Sequence, residues 1–404
     1  MPEQFIVGER NLRIDVNTVE IDKPEANQNS KLRIAVIRRE CTYDRGGAER
    51  YAANLCKALA GLGHQVFVVA EQCDPDLHPA IKHVPVRVNR ATSGSRNSSF
   101  HQNSQRALVE IGADAVLALS RTFPADAFRV SDPLHDFWMR VWYPNRLHRF
   151  LQTLNPRHRT ILRLEAAILD PANTRAIITN SELSKRLIGE RGAFPAERIH
   201  VVYNGVDRRQ FSPGEGFAEA EGEVRLLFVG RDFKRKGLEP LIRAVAAARK
   251  ENVACRLRVI GRDRTAPYER LATELGIEEA VEFDGPTRKV EEAYRGADLF
   301  VFPTLYDPFA NVCLEAMACG LPVLTTTTNG ASEIVTEGVD GFVVNGEADG
   351  LAERLAAKIV AFCRKTEIER RKMRDAAAGK GAEFTIENNA RVIVGILSNV
   401  SKEI

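Results

Sequence analysis

Two cations and two carboxylates in the second half of this 404-residue chain have the types and spacing for chemistry on a charged, hydroxyl-rich ligand. Arg231 and Lys236 fall within Gly230-Arg231-Asp232-Phe233-Lys234-Arg235-Lys236-Gly237, where five of eight residues carry charge and four of those five are basic. Two cations at the mouth of an α/β sheet can neutralise a diphosphate, although a solvated basic turn has the same composition. Asp307 and Glu315, with seven residues between them, stand on either side of a helix start. Ligands of open α/β sheets bind outside the carboxyl ends of the strands, where helix N-termini favour anions. In the first half, Gly46-Gly47 precedes a helix-compatible run. Glycine there lets a phosphate or sugar approach the helix amides, or simply makes a turn. The pair is not the G-x-G-x-x-G fingerprint of dinucleotide binding. Arg121, Asp132 and His135 follow a strand end and are the candidates on the side of a second substrate. All eight histidines lie at or before residue 200, so a histidine contribution must come from the N-terminal half; His135 is also readable as an ordinary polar loop residue.

The elements that must hold these residues alternate between strand and helix patterns. Residues 32–37 and 66–69 read as strands around a helix from 48 to about 62, and 115–119, 175–179 and 199–203 as further strands. The polar, small-residue segment 89–104 reads as a mobile loop. After a Pro/Gly linker near 212–216 the pattern restarts. Strands are expected at 226–229, 257–260, 281–283, 299–302, 322–326 and 341–344, and helices at 238–249, 268–275, 290–294 and 351–364. From about 367 onward the sequence reads as charged amphipathic helix. Such alternation implies parallel sheets covered on both faces.

Length and composition fit two such domains. A net charge of +3 does not by itself indicate nucleic acid, and none is expected as a partner. Seven scattered cysteines without a C-x-x-C pair suggest free thiols in a reducing compartment. The first residues lack a signal-peptide pattern, and no apolar run of about 18 residues occurs, so a cytoplasmic location is expected. Residues 1–30 read as an N-terminal extension with β character at 12–19.

Residues 137–164 contain six arginines and no acidic residue, with Trp138, Trp142 and Tyr143 at one end. Pro144 and Pro156 favour short helical pieces over one long helix. Aromatics beside guanidinium groups suit helices lying on an anionic lipid surface, where each basic residue contributes roughly 1 kcal/mol. An ordinary amphipathic helix with a solvated basic face fits equally.

Taken together, the motifs resemble the retaining GT-B glycosyltransferases, in particular the large family containing the lipopolysaccharide core glucosyltransferases. Arg231 and Lys236 match the family's Arg-x4-Lys, and Asp307 and Glu315 its E-x7-E. The run from Glu315 to Val323 matches its small-residue and proline-strand segment, and Gly46-Gly47 its N-terminal glycine loop. The resemblance covers about residues 31–395 and implies an α/β chain of two Rossmann-like domains whose parallel sheets face a central cleft. Residues 31–207 would bind acceptor, 208–375 would bind nucleotide sugar, and 376–404 would be a helix packing back toward the N-terminal domain. It further implies that Arg231, Lys236 and Asp307 form the catalytic set, the cations stabilising the diphosphate leaving group and Asp307 holding sugar hydroxyls. Glu315 would take the ribose, and the amides of Phe309, Ala310 and Asn311 would face sugar and phosphate. Gly46, Gly47, Gly230, Arg262, Thr287 and Arg288 complete the implied donor site. No metal and no cofactor beyond a UDP-sugar co-substrate is expected, because cations and helix dipoles replace the metal in this family. The expected activity is transfer of a hexose from a UDP-glucose-like donor to a lipopolysaccharide-core or other glycolipid or saccharide hydroxyl. The protein would then lie at the inner face of the plasma membrane, with 137–164 as the contact. A non-catalytic nucleotide-sugar-binding protein is the alternative. One departure is Asp307 where the family has glutamate: its reach is about 1.5 Å shorter, so it needs a closer sugar or a bridging water.

Overall fold

The computed structural model describes residues 31–43, 46–130, 132–192, 194–214 and 222–401, so the extension at 1–30 lies outside the described residues. Aliphatic and β-branched runs that are buried on both faces form the central strands, as a covered parallel sheet requires, while the outer strands are partly exposed. β1 (Arg33–Ile37) leads through the short β2 (Glu40–Cys41) into α1 (Gly47–Gly61), then β3 (Gln65–Ala70), β4 (Gln72–Cys73) and β5 (Ile81–Pro85). α2 (Ser93–Ile111) returns the chain to β6 (Ala115–Ala118) and β7 (Ala125–Arg129). Three short helices follow, α3 (His135–Trp142), α4 (Arg146–Thr153) and α5 (Pro156–Ile168), and then β8 (Thr174–Thr179), α6 (Glu182–Gly189) and β9 (Ile199–Val201). The seven long strands lie parallel in the order β5-β3-β1-β6-β7-β8-β9, with β2 and β4 paired apart from them.

The second lobe runs β10 (Val224–Arg231), α7 (Leu238–Lys250), β11 (Cys255–Arg262), α8 (Ala266–Glu274), β12 (Val281–Gly285) and α9 (Val290–Arg295). It continues through β13 (Leu299–Phe302), α10 (Asn311–Ala318), β14 (Val323–Thr326), β15 (Gly341–Val344) and α11 (Leu351–Cys363). Its six strands are parallel in the order β12-β11-β10-β13-β14-β15. In each lobe the chain first builds outward on one side of its first strand and then returns to the other side. Loops at the resulting switch point diverge above and below the sheet and open a crevice. In the second lobe that point is between β10 and β13, so the loops carrying Arg231–Lys236 and Asp307 emerge side by side.

Two readings from sequence are corrected. Residues 89–104, expected as a mobile loop, lie largely in α2, whose start is closed by a capping box between Thr92 and Ser95. The helix buries only Phe100, Ser104 and Ile111, so its apolar periodicity is faint. The boundary placed at 375/376 falls inside α12 (Glu367–Glu383), which packs on α10 with Gly381 against the Ala318 backbone. The chain changes lobe later, at 384–386. There Val206 donates to Phe384 O (2.9 Å) and Ile386 donates to Val206 O (3.1 Å), so the two crossings lie side by side. α13 (Ile386–Ser401) then buries Ile386, Ala390, Ile393 and Leu397 in the core of the first lobe.

The basic stretch forms three helices because Asn145 and Asn155 cap new starts after the breaks, with Pro156 at the first turn of α5. α4 buries no residue; Leu147, Phe150, Leu151 and Leu154 are each more than half exposed. No helix among the described residues is long and apolar enough to cross a membrane.

Candidate active site

β10 ends in Gly230-Arg231, and the following turn is held by the Phe233 N–H on the Asp263 carboxylate (2.7 Å) and the Lys236 N–H on Asp232 O (3.0 Å). Gly237 closes the turn at φ 78°, where a Cβ would collide with the Pro303 carbonyl, so only glycine lets the two loops touch. This contact aims the Lys236 side chain along the Phe302 ring, with Nζ 5.0 Å from the centroid, and into an ion pair with Asp307. Burial lowers the Lys236 ammonium, Asp307 opposes that shift, and Arg235, 3.8 Å from the same carboxylate, adds to it. Lys236 and Asp307 were expected to serve separate parts of a ligand; in the free protein they neutralise each other.

Asp307 Oδ1 also accepts the Phe309 N–H (3.2 Å), and Asn329 Oδ1 accepts the Ala310 N–H (3.1 Å). The expectation that these two amides face a ligand is therefore corrected. The N–H groups of Asn311 and Val312, the first turn of α10, have no acceptor among the described residues and are the ones left open at the cleft. One turn on, Glu315 is buried. It accepts from the Tyr294 hydroxyl (3.0 Å), and burial pushes its carboxyl up against the opposing pull of Arg50 and Tyr294.

The first lobe closes over this face. Gly46, in an extended conformation, lies against the Arg231 guanidinium: a Cβ there would come within 2.0 Å of Nη2. Asn311 Nδ2 donates to Gly47 O (3.2 Å), and Arg50 Nη1 is 3.9 Å from Glu315 Oε1. Between the lobes is a cleft of about 510 Å³. Its walls include Gly46, Gly47, Gly230, Arg231, Lys236, Arg262, Thr287, Asp307, Phe309, Ala310, Asn311, Glu315 and Asp132, all singled out from sequence.

Three expected residues are not among its walls. Arg288 leaves the cleft edge to Pro286 and Thr287. Arg121 stands behind Asp132 (3.8 Å), donates to Pro133 O (2.9 Å) and lines a side pocket of about 60 Å³ with Arg38, Arg39 and Ser120. Burial works against the Asp132 carboxylate, but Arg38, Arg121 and Arg39 outweigh it and hold its carboxyl low. His135, the first residue of α3, turns inward: its Nε2 is 2.9 Å from His158 Nδ1 and its ring stacks on Trp138. Burial, then Arg121 and His158, push it down to about 3, so it is a neutral packing residue.

Sequence reasoning passed over Arg50, Asn204, Tyr43 and Val312, all on the cleft wall. Arg50 reads as a first-turn helix charge and Asn204-Gly205 as a turn; the meeting of the lobes sets Arg50 beside Glu315 and Asn204 beside Asn311.

The sequence matches the family profile Glycosyltransferase Family 4 over residues 45–210 and the profile Glycosyl transferases group 1 over residues 215–380. It is 26% identical over 317 residues to the lipopolysaccharide glucosyltransferase WaaG of Escherichia coli (strain K12), covering 74% of this chain and 82% of that protein. A crystal structure of WaaG has the same fold, with a TM-score of 0.76 at 23% identity over 90% of this chain and 99% of that one. A D-inositol 3-phosphate glycosyltransferase of Kribbella flavida is 27% identical over 359 residues, 78% of this chain and 83% of that protein. Anabaena HepE, solved in complex with UDP-glucose, shares the fold with a TM-score of 0.66 at 19% identity, covering 91% of this chain and all of that one (100%). With one profile on each lobe and the two-sheet architecture of WaaG, the chain belongs to the GT-B glycosyltransferases, as a group 1 enzyme of the WaaG type.

Proposed function

We propose that the protein is a retaining, metal-independent hexosyltransferase that takes a UDP-glucose-like donor. The acceptor is a hydroxyl of a lipopolysaccharide-core or other glycolipid or saccharide. The observation that carries this reading is the convergence, on one wall of the cleft, of Arg231, Lys236, the open amides of α10 and Glu315. Cations and amides suit a diphosphate, and a carboxylate suits ribose hydroxyls. As the bond from the anomeric carbon to the β-phosphate oxygen breaks, charge develops on that oxygen, and Arg231 and Lys236 stabilise it. The acceptor oxygen bonds to the same carbon on the same face and its proton passes to the leaving phosphate, so no side-chain base is needed. Donor arrival would draw Lys236 from Asp307 toward phosphate and free that carboxylate for a sugar hydroxyl. HepE, solved with UDP-glucose, and WaaG, named as a glucosyltransferase, support a glucosyl donor. The inositol-phosphate enzyme among the relatives keeps other acceptors in view.

A panel of UDP-sugars tests the donor. The true donor should raise the melting temperature and release UDP when acceptor is added. Stabilisation by UDP-sugar with no UDP release on any lipid or saccharide acceptor would favour the non-catalytic binding protein. The exposed Leu147, Phe150 and Leu151 on α4 and Leu154 just after it, beside Arg146 and Arg149, support peripheral contact with an anionic bilayer. Replacing the three aliphatic or aromatic residues 147, 150 and 151 by serine should abolish cosedimentation with vesicles containing anionic lipid; unchanged cosedimentation would refute that contact.

A further inference from the structure

Arg129, the last residue of β7, is fully buried, and no carboxylate pairs with it among the described residues. Its guanidinium lies over the Tyr51 ring, 4.8 Å from the centroid. Nη2 donates to Val202 O (3.0 Å) and to Asn204 Oδ1 (2.6 Å), while Nε and Nη1 find no acceptor among the described residues. A side chain needed here only to fill volume would be better apolar, because a lone buried guanidinium with unmet N–H groups is costly.

The hydrogen-bond directions suggest what it does. Arginine can only donate, so Asn204 must turn its oxygen to Arg129 and its nitrogen away. That Nδ2 donates to Asn311 Oδ1 at 2.5 Å. Asn311, its oxygen taken, has only its own Nδ2 left, and this donates to Gly47 O on the opposite lobe at 3.2 Å. The crossover segment is held from its other side by the same logic: the Tyr51 hydroxyl donates to Asn389 Oδ1 (2.7 Å), and Asn389 Nδ2 donates to Tyr203 O (2.5 Å). We propose that Arg129 is a positioning residue which, by admitting one orientation of the Asn204 and Asn311 amides, ties the Gly46-Gly47 turn to the start of α10 across the cleft. The consequence for catalysis rests on the reading of those two segments as the donor site; the tie itself does not.

Asn204→Asp separates this role from a merely structural one. Aspartate still accepts from Arg129 and gives the buried guanidinium a counter-charge, but it offers no N–H to Asn311. Asn311 must then turn its nitrogen to position 204, which sets its oxygen against Gly47 O and breaks the tie. The expected result is a melting temperature no lower than wild type together with faster amide exchange in the first turn of α1 in the ligand-free protein. UDP affinity, read by calorimetry, should weaken about five-fold, the effect of one neutral hydrogen bond. Arg129→Met, which frees the Asn204 amide to rotate, should loosen the same turn and weaken UDP in the same direction. Unchanged exchange in both variants would overturn the proposal, as would UDP weakening only in step with a fall in melting temperature. If the turn loosens but the wild-type protein does not bind UDP, the tie stands and the donor reading falls.

Discussion

Lys236 and Asp307 form a pair whose two halves should fail in different ways when removed singly. Asp307→Asn leaves the Lys236 ammonium, in a residue only 9% exposed, beside Arg235 with no carboxylate at hand. Breaking a buried pair from one side costs about 3–5 kcal/mol, which for a domain of this size is a fall of about 10 °C in melting temperature. Lys236→Ala leaves Asp307 with Arg235 at 3.8 Å and the Phe309 N–H, so no charge is orphaned. It loses the stem packed on Phe302, about 2 kcal/mol. Turnover should reverse the order: if Lys236 is the leaving-group cation of the proposed function, its loss should lower kcat by about 10²–10³-fold. The pH dependence adds a second check. Burial places the folded ammonium below its ordinary 10.5, so its destabilising effect is full below the folded value and is relieved as pH rises toward 10.5. Asp307→Asn removes the main opposing influence, so its deficit in melting temperature should narrow on the alkaline side. Its alkaline limb in kcat/KM should also move to lower pH. Calorimetry at about pH 7 and about pH 9, with UDP release on the donor selected by the panel, reads both. An Asp307→Asn protein with wild-type melting and an unmoved alkaline limb would refute this account of the pair.

Glu315→Gln should melt no lower than wild type at neutral pH, because burial raises the Glu315 carboxyl and its ionised form works against folding. The sign follows from that direction: the stability is full below the ordinary 4.5 and is lost as pH rises through the folded value, so the two proteins should converge in acid. Donor KM should rise about ten-fold or more if the carboxylate holds ribose; an unchanged KM would move the ribose elsewhere. Gly46→Ala places a Cβ within 2.0 Å of Arg231 Nη2, so the arginine must swing aside. Melting should change little while donor KM rises, and an unaltered KM would count against Arg231 as a phosphate ligand.

Much of the candidate site was legible in the sequence. The β10 turn and the α10 entry carry charge at fixed spacing next to strongly apolar strands. In such sheets local pattern dictates both the element and the end of it that a ligand meets. α2 was illegible because it presents only a narrow apolar edge. His135 misled because what turns its ring away from the cleft is His158, 23 residues on in α5, which only the packing of α3 on α5 brings within 2.9 Å. The Phe309 and Ala310 amides looked open because their acceptors, Asp307 and Asn329, depend on how two loops fold together.

Sequence alone determined the two α/β lobes, the basic turn, the two acids and the glycine pair, because each is encoded within a few residues by apolar periodicity, turn chemistry and charge. Tertiary structure alone decided which groups face one another. It coupled Lys236 to Asp307, set Arg50 against Glu315, and aligned Arg129, Asn204 and Asn311 toward Gly47. These partners are separated by tens to hundreds of residues, and the direction of each bond depends on what the other side can donate or accept, which no local pattern carries.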